Sequence, residues 1–407
     1  MAQATSAEDT AMAAKLESLI QKLAETTESI RNNPASFNAS TEQYARLGEA
    51  FEVFRKETRQ PTDVVLDLLP HLAELTVVRL FIKWKVFENI PTDGEISFKD
   101  LASKLGAETN LITRFGSVLV ASGLLKQVGS DCVSHSPMSP LFTSGSPMSA
   151  LAQRTFDDDL RSLLAMPDYF ERYGLKEPAG RYHTVYSFSA GDPELTVWEQ
   201  MNKDKTRMAD FMTTMTVWDE GIGTYDFSWL LLEANTSKDR VLLVDVGGGR
   251  GQAVRAICQA VPDLPVNRCV VEDRAEVVEE ARVSAEGELK EAQFVALDFH
   301  KEQPVKGALL YYLRHCLHDY GDEDSVGMLQ QIRDAMAADS RLLIVEQVLS
   351  NPPSMIGSIS DLFMSSLGGK ERTLECFQSI TSRAGLKIKE VYRSGGLDDC
   401  VIECVQV

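Results

Sequence analysis

The sequence predicts an α/β fold in which a seven-stranded, mostly parallel sheet follows a helical N-terminal third. Three observations carry that expectation. Apolar residues recur at helical spacing up to about residue 237, and from Arg240 onward strands and helices alternate. A glycine loop, Gly247-Gly248-Gly249-Arg250-Gly251, stands where the first strand gives way to a helix. Finally, the Gly395–Gly396 turn between the last two strands is too short for a right-handed crossover, so the final strand should run antiparallel. The strands are expected at 241–246, 269–272, 293–297, 308–313, 342–348, 387–393 and 400–405, with helices between the first six.

The chain has 407 residues, 44% apolar and 25% charged, enough to bury more than one core. Its segments divide as 1–150 (helical), 151–237 (helical linker and pocket roof) and 238–407 (strand–helix alternation). Charges interrupt every long apolar stretch, so no membrane span is expected. Met1 to Thr10 lacks the basic and apolar regions of a secretory signal. Lys and Arg number 41 against 60 Asp and Glu, a net charge of −19 that repels phosphate backbones and argues against a nucleic-acid partner. Seven scattered cysteines read as reduced thiols of a cytoplasmic protein, with Cys400 and Cys404 on one face of a strand.

In the first segment, Leu16, Leu19, Ile20 and Leu23 form one helical stripe, and Tyr44, Leu47, Phe51 and Phe54 a second. Pro61 and Pro70 punctuate a third element, and Leu72 to Phe87 is apolar nearly all round. Such a helix needs cover on several sides, which points to a partner subunit. Phe98 to Leu105, a turn at Gly106, a Thr109/Asn110 cap and a helix from Leu111 to Ser122 precede two short extended stretches: a winged helix-turn-helix pattern. Its second helix carries only Arg114 as a basic residue, too little for phosphates and base edges, so the unit reads as structural. Between 151 and 237, helical stripes (Leu160, Leu163, Leu164; Met208, Phe211, Met212, Met215) flank a loop-like stretch from Glu177 to Pro193.

The glycine loop is the first chemical signal. Its spacing is G-x-G-x-G, preceded by Asp245, and Gln252 stands where a nicotinamide-binding loop would need glycine. Glu272-Asp273 ends the next strand, placed to accept from ribose hydroxyls. Asp298-Phe299 follows the third strand and pairs an acceptor with an aromatic that can stack on adenine. This trio resembles class I S-adenosylmethionine-dependent methyltransferases, a Rossmann-like fold whose sheet ends in an antiparallel hairpin. Leu313-Arg314-His315-Cys316-Leu317-His318-Asp319-Tyr320-Gly321-Asp322-Glu323, the Glu346 segment and Gly368-Gly369-Lys370-Glu371-Arg372-Thr373 resemble the catalytic segments of plant-type and fungal secondary-metabolite O-methyltransferases.

The resemblance implies S-adenosylmethionine as cofactor, a winged-helix dimerisation domain and a homodimer. It implies His318 as general base, flanked by Glu346 and Glu371. It assigns Gly247, Gly249 and Gly251 to the methionine and ribose end, Asp273 to the ribose, Asp298 and Phe299 to adenine, and Arg314 to the adenine edge. Arg274-Ala275 replaces the Leu-Pro of many relatives, leaving Glu272 and Asp273 both open for the ribose, and Tyr320 replaces a tryptophan. No metal is expected, since the sequence shows no clustered carboxylates of the kind that magnesium-dependent methyltransferases use. The implied acceptor is a small aromatic or polyketide- or alkaloid-like molecule, in a pocket lined by Phe211, Met212, Met215, Phe363 and Met364. O-methylation leads; N-methylation, or a pericyclase using the bound cofactor without methyl transfer, are the alternatives.

Overall fold

The computed structural model describes residues 7–32, 42–215, 225–393 and 399–407. The two N-terminal stripes fall on helices Ala7–Asn32 and Glu42–Thr58. The next long helix runs Leu68–Lys83 and stops where Lys85 takes φ 55°, a left-handed turn that starts the short helix Val86–Asn89. Val77, Val78, Phe81 and Ile82 are buried, but Val64, Val65, Leu66, Leu68, Leu69 and Leu72 are about half exposed. The expected all-round burial therefore holds only for the C-terminal half of this helix within one chain.

Ser97 caps helix Phe98–Leu105 by accepting from the Asp100 amide, and Gly106 ends it at φ 63°. The following helix is Thr109–Ala121, with Glu108 at its N-cap. The expected Thr109/Asn110 cap is displaced because the Glu108 carbonyl already accepts from Ile112, which draws Thr109 into the helix. A small antiparallel sheet completes the unit: β1 (Ile96–Ser97), β2 (Leu125–Val128) and β3 (Cys132–His135), in the order β1-β3-β2.

The main sheet contains β4 (Leu243–Val246), β5 (Cys269–Asp273), β6 (Gln293–Ala296), β7 (Leu310–Arg314), β8 (Arg341–Gln347), β9 (Leu386–Arg393) and β10 (Asp399–Gln406). Their order is β6-β5-β4-β7-β8-β10-β9, with β10 antiparallel to both neighbours and the other pairs parallel. The Gly395–Gly396 turn itself lies outside the described residues. Period-two alternation splits the core. Val244, Val246, Tyr311, Leu313, Ile344, Cys400, Ile402 and Cys404 pack against helices Asp322–Ala335 and Leu374–Arg383. Leu243, Val271, Leu310, Tyr312, Val345 and Val401 face helices Trp229–Thr236 and Gln252–Ala260. All seven cysteines are free thiols.

One expected helix is missing. Residues 297–309, between β6 and β7, are not helical; the stretch is short, holds Pro304 and Gly307, and has no apolar stripe to bury. Conversely, the loop-like stretch after Glu177 contains helix Val185–Ser189, capped by Thr184. Helix Pro147–Arg154 runs without a break through a π-helical turn, Thr155–Leu160, into helix Arg161–Tyr173. Leu164 in that helix is exposed, not core. Helix Lys205–Thr214 packs across Pro147–Arg154. Among the described residues no helix is long and apolar enough to cross a membrane.

Gly116 tests the packing of the N-terminal unit. A Cβ there would run into the Phe98 ring, itself buried. Gly116→Val should therefore cost about 1–3 kcal/mol by overpacking, read as a lower denaturant midpoint with an unchanged slope; an unchanged midpoint would contradict the close helix contact.

Candidate active site

The crevice lies at the C-terminal ends of β4, β5 and β7, on either side of the point where strand order reverses, the position where open α/β sheets bind ligands. After β4 the chain turns sharply: Gly247 and Gly248 donate their amides to the Glu272 carbonyl at 2.8 and 2.9 Å. Gly247 has φ 77°, and a Cβ on it would stand 2.6 Å from Cys316 Sγ and 3.0 Å from Phe299 Cζ. Only glycine fits there. Gly249, at φ 55°, would seat a Cβ in ordinary contact with Gln252 Oε1 at 3.6 Å and Met212 Cε at 3.9 Å. Gly251 does not line the cavity: it caps helix Gln252–Ala260 at φ 80°, packed under Leu289 and Val271.

The two acids that end β5 part ways. Asp273 lines the cavity and accepts from the amides of Gly249 at 2.9 Å and Arg274 at 2.7 Å. Glu272 is buried in the sheet, where it accepts from Gln303 Nε2 at 2.7 Å. Asp245 is also buried, yet its Oδ2 has no hydrogen-bond partner and the residue borders the cavity. Burial, aided by the Asp273 charge, raises its carboxyl to about 7, and the Arg314 charge works against that rise. An orphaned acceptor beside a glycine cradle suits the ammonium end of an amino-acid-bearing ligand. Asp298, Phe299 and Arg314 also border the cavity, and the Phe299 ring meets Tyr320 edge-on at 6.2 Å.

His318 sits on a single helical turn after β7, Leu317–Asp319. Its Nδ1 lies 3.1 Å from Glu371 Oε1 and 3.6 Å from Glu346 Oε2, and its Nε2 lies 3.7 Å from Asp319 Oδ1. Glu346, fully buried at the end of β8, accepts through Oε1 from the amides of Cys316 at 3.0 Å and Leu317 at 2.8 Å. Glu371 accepts from Ser360 Oγ at 2.7 Å, and its own amide donates to Asp361 Oδ1 at 2.9 Å. Burial pushes the imidazole's pKa down, but the Glu346 and Glu371 carboxylates outweigh it and lift the value to about 10. Burial would raise Glu371, but the cationic His318 holds it below the ordinary carboxylate range, while Asp319 is pushed up by burial to about 6. His315, in a left-handed conformation at φ 49°, stacks its ring on His318 at 5.6 Å.

The sequence showed no clustered carboxylates, yet the fold gathers Glu346 and Glu371 beside His318, with ligand atoms within 4.8 Å of one another. That spacing could seat a metal ion. The donor set equally suits a proton: Glu346 Oε1 is taken by two amides and Glu371 Oε1 by Ser360, and a protonated imidazole offsets their charge.

One cavity of about 1120 Å³ joins these parts. Phe211, Met212, Met215, Phe363 and Met364 all border it, as do His318 and Glu371, while Glu346 stands behind them. Sequence reasoning missed Ser360 and Asp361, which steady Glu371, and the pair Arg154 and Asp159 in the wall. It quoted Arg372 without a role; the side chain is fully buried and donates to the Leu317 and Tyr320 carbonyls at 2.9 and 2.8 Å. An arginine inside a short motif was the only signal for it.

Sheet order, glycine cradle and acidic strand ends together define an S-adenosylmethionine-dependent methyltransferase. The chain belongs to the family described as the O-methyltransferase domain, whose profile matches residues 174–387. Methyltransferase cfoD of Aspergillus candidus is 37% identical over 361 residues, covering 86% of this chain and 89% of that protein. O-methyltransferase afvC of Aspergillus flavus is 27% identical, covering 86% of this chain and 84% of its own length. Among solved structures, OxaC in complex with SAH and oxaline shares the fold at a TM-score of 0.85 and 21% identity, over 97% of this chain and 100% of its own. LepI in complex with SAM does so at 0.80 and 22%, over 95% and 100%. At those identities the likeness is one of fold.

Gly249→Arg should fill the space above the loop. Calorimetry in EDTA should show S-adenosylmethionine binding to the unaltered protein and none detectable to the variant. Equal affinity in both would remove the loop from the cofactor site.

Proposed function

We propose that the protein methylates a phenolic or enolic hydroxyl of a small secondary metabolite, with His318 as the proton acceptor. The observation that carries this reading is the buried His318–Glu371–Glu346 cluster at the cavity wall. Bound S-adenosylmethionine supplies a methyl already activated on a sulfonium. The chain must supply an oxygen nucleophile, and a phenol with a pKa near 10 is a poor one until its proton leaves. The imidazole, held at about 10, is matched to such a hydroxyl, so the proton can pass between them at little cost. Glu371 fixes the ring through Nδ1 and leaves Nε2 for the acceptor; Glu346 adds charge from behind. Asp245, Gly247, Gly249 and Asp273 hold the cofactor's amino-acid and ribose parts, with Asp298, Phe299 and Arg314 at the adenine side. Phe211, Met212, Met215, Phe363 and Met364 enclose the acceptor.

The relatives support O-methylation in fungal metabolism: afvC is an O-methyltransferase by name, and OxaC is seen with oxaline. A second reading has its own observation, since a protein described as a pericyclic reaction enzyme shares the fold at a TM-score of 0.80. The helical N-terminal unit, 1–150, serves as a winged-helix dimerisation domain, 151–237 as linker and roof, and 238–407 as the catalytic domain of a cytoplasmic homodimer. The half-exposed apolar strip from Val64 to Leu72 supports that dimer.

Light scattering at micromolar concentration should give twice the chain's mass; a monomer at every concentration would sink the dimer. His318→Ala should lose roughly 10²–10⁴-fold in turnover while cofactor affinity barely changes. With a phenolic acceptor, kcat/KM should rise with pH from 7 towards about 10, because only the unprotonated imidazole accepts a proton and its pKa is raised. Glu371→Gln removes a carboxylate, so the rise should move to lower pH and its plateau should fall. Full turnover in His318→Ala at neutral pH would overturn the base assignment, and a product of unchanged mass with an altered ring skeleton would decide for pericyclic chemistry.

A further inference from the structure

The acceptor half of the cavity carries a guanidinium that methyl transfer does not use. Arg154 closes helix Pro147–Arg154, where the chain widens into the π-helical turn Thr155–Leu160. Such turns recur at functional sites. Its side chain is only 14% exposed and borders the cavity. The Phe211 ring lies 5.1 Å from its Cζ, stacking space for one face of the planar group. Asp159 Oδ1 approaches Nε no closer than 3.9 Å, beyond hydrogen-bond reach. Its charge also reaches Asp319, the carboxyl beside His318 Nε2.

Among the described residues, nothing accepts a hydrogen bond from this guanidinium. Two other well-buried arginines are clasped by partners, although Nη1 of Arg79 has none. Arg79 grips Asp157 with three N–H···O contacts of 2.6 to 3.0 Å. Arg372 spends its donors on two carbonyls of the catalytic turn, Ser325 and Asp322. An arginine has five N–H donors in a rigid fork, and in Arg154 they are left to the cavity rather than to a protein acceptor among the described residues. Asp159 shares the condition: it is mostly buried, borders the same cavity, and makes no hydrogen bond among the described residues. An unclasped pair in a cavity wall is a site waiting for a partner of its own geometry.

We propose that Arg154, steadied by Phe211 and Asp159, anchors an oxyanion of the acceptor, which therefore carries an acidic group beside the atom that receives the methyl. The fork fits two oxygens side by side, the shared geometry of a carboxylate and of an ionised 1,3-dicarbonyl. The inference rests on the methyltransferase reading of the cavity. It also meets an electrostatic need. The chain has a net charge of −19 and Asp159 stands in the cavity wall beside Arg154, so the guanidinium offsets the repulsion an anionic acceptor would meet at that wall.

The test uses the full chain saturated with S-adenosylhomocysteine and two matched probe pairs at pH 7.5, measured by calorimetry. 3-Hydroxy-2-naphthoate is paired with 2-naphthol, and 4-hydroxycoumarin, an ionised 1,3-dicarbonyl, with coumarin. At least one acid should bind about tenfold or more tightly than its neutral partner, the worth of one desolvated charge-assisted contact. Arg154→Met should abolish that preference and leave the neutral probe within about twofold. Arg154→Lys should keep part of it, as a point charge without the fork. Which acid is preferred identifies the group. Both variants should bind S-adenosylhomocysteine as the parent does, which separates loss of the anchor from misfolding. Acids that bind no better than their neutral partners, or a preference that survives in Arg154→Met, would overturn the proposal. Failure of the parent protein to bind S-adenosylhomocysteine would instead overturn the methyltransferase reading beneath it.

Discussion

The site depends on one carboxylate that the cavity does not touch. Glu346 ends β8 with no exposed surface and takes the amides of Cys316 and Leu317 on a single oxygen. Those bonds halt the chain as it leaves β7 and fold it into the turn that presents His318. Arg372 clamps the same turn from the other side through the Leu317 and Tyr320 carbonyls, and the Lys370 amide donates to the His318 carbonyl. Gly369 has no room for a side chain against that carbonyl, so two backbones meet directly. The strained left-handed His315 persists because the turn is held on both sides.

The same arrangement decides the charge of the imidazole. Burial alone would leave His318 neutral at physiological pH. At a separation of about 4 Å, each carboxylate contributes up to about 4 kcal/mol at an effective dielectric near 20, and Glu346, Glu371 and Asp319 together outweigh desolvation. The value near 10 lies above the ordinary histidine value of 6.5. Its contribution to stability is therefore complete below 6.5 and is lost as pH rises through about 10. If His318 is the base as proposed, the proton that catalysis must displace also stabilises the cluster that holds the ring. Alkaline conditions that free the base also loosen the cluster that positions it.

Much of this could be read from the chain, and the exceptions have physical causes. Unbroken buried runs such as Leu243–Val246 and Leu342–Val345 marked the sheet, because a strand covered on both faces has little other composition open to it. The G-x-G-x-G loop marked the cofactor crevice, and its glycines at 247 and 249 have the backbone angles that make other residues costly. Whether Glu272 or Asp273 faced the ligand was not legible, since neighbouring strand residues point to opposite faces and strand end and register decide between them. The missing helix between β6 and β7 was a matter of length and of Pro304. Ser360, Asp361 and Arg154 left no sequence trace: each acquires its role by meeting residues far away in the chain.

The two halves of the cavity are built on different principles. The half beside the glycine loop grows from strand ends, where positive-φ glycines such as Gly247 leave little room for other residues. The acceptor half is borrowed from helices outside the sheet: Pro147–Arg154 and Lys205–Thr214 above, and Met355–Leu367 on the far wall. Its lining of Met and Phe side chains is adaptable, and the helices can exchange residues without disturbing the strands that hold Asp245, Asp273 and Glu346. Glu371 and its supports Ser360 and Asp361 lie where the two halves join, so the far-wall helix both shapes the pocket and steadies the base. A change of acceptor that moved this helix would also move Glu371. Under the proposed function, the helices Pro147–Arg154 and Lys205–Thr214 are where specificity is set, with Arg154 reaching Asp319 by charge.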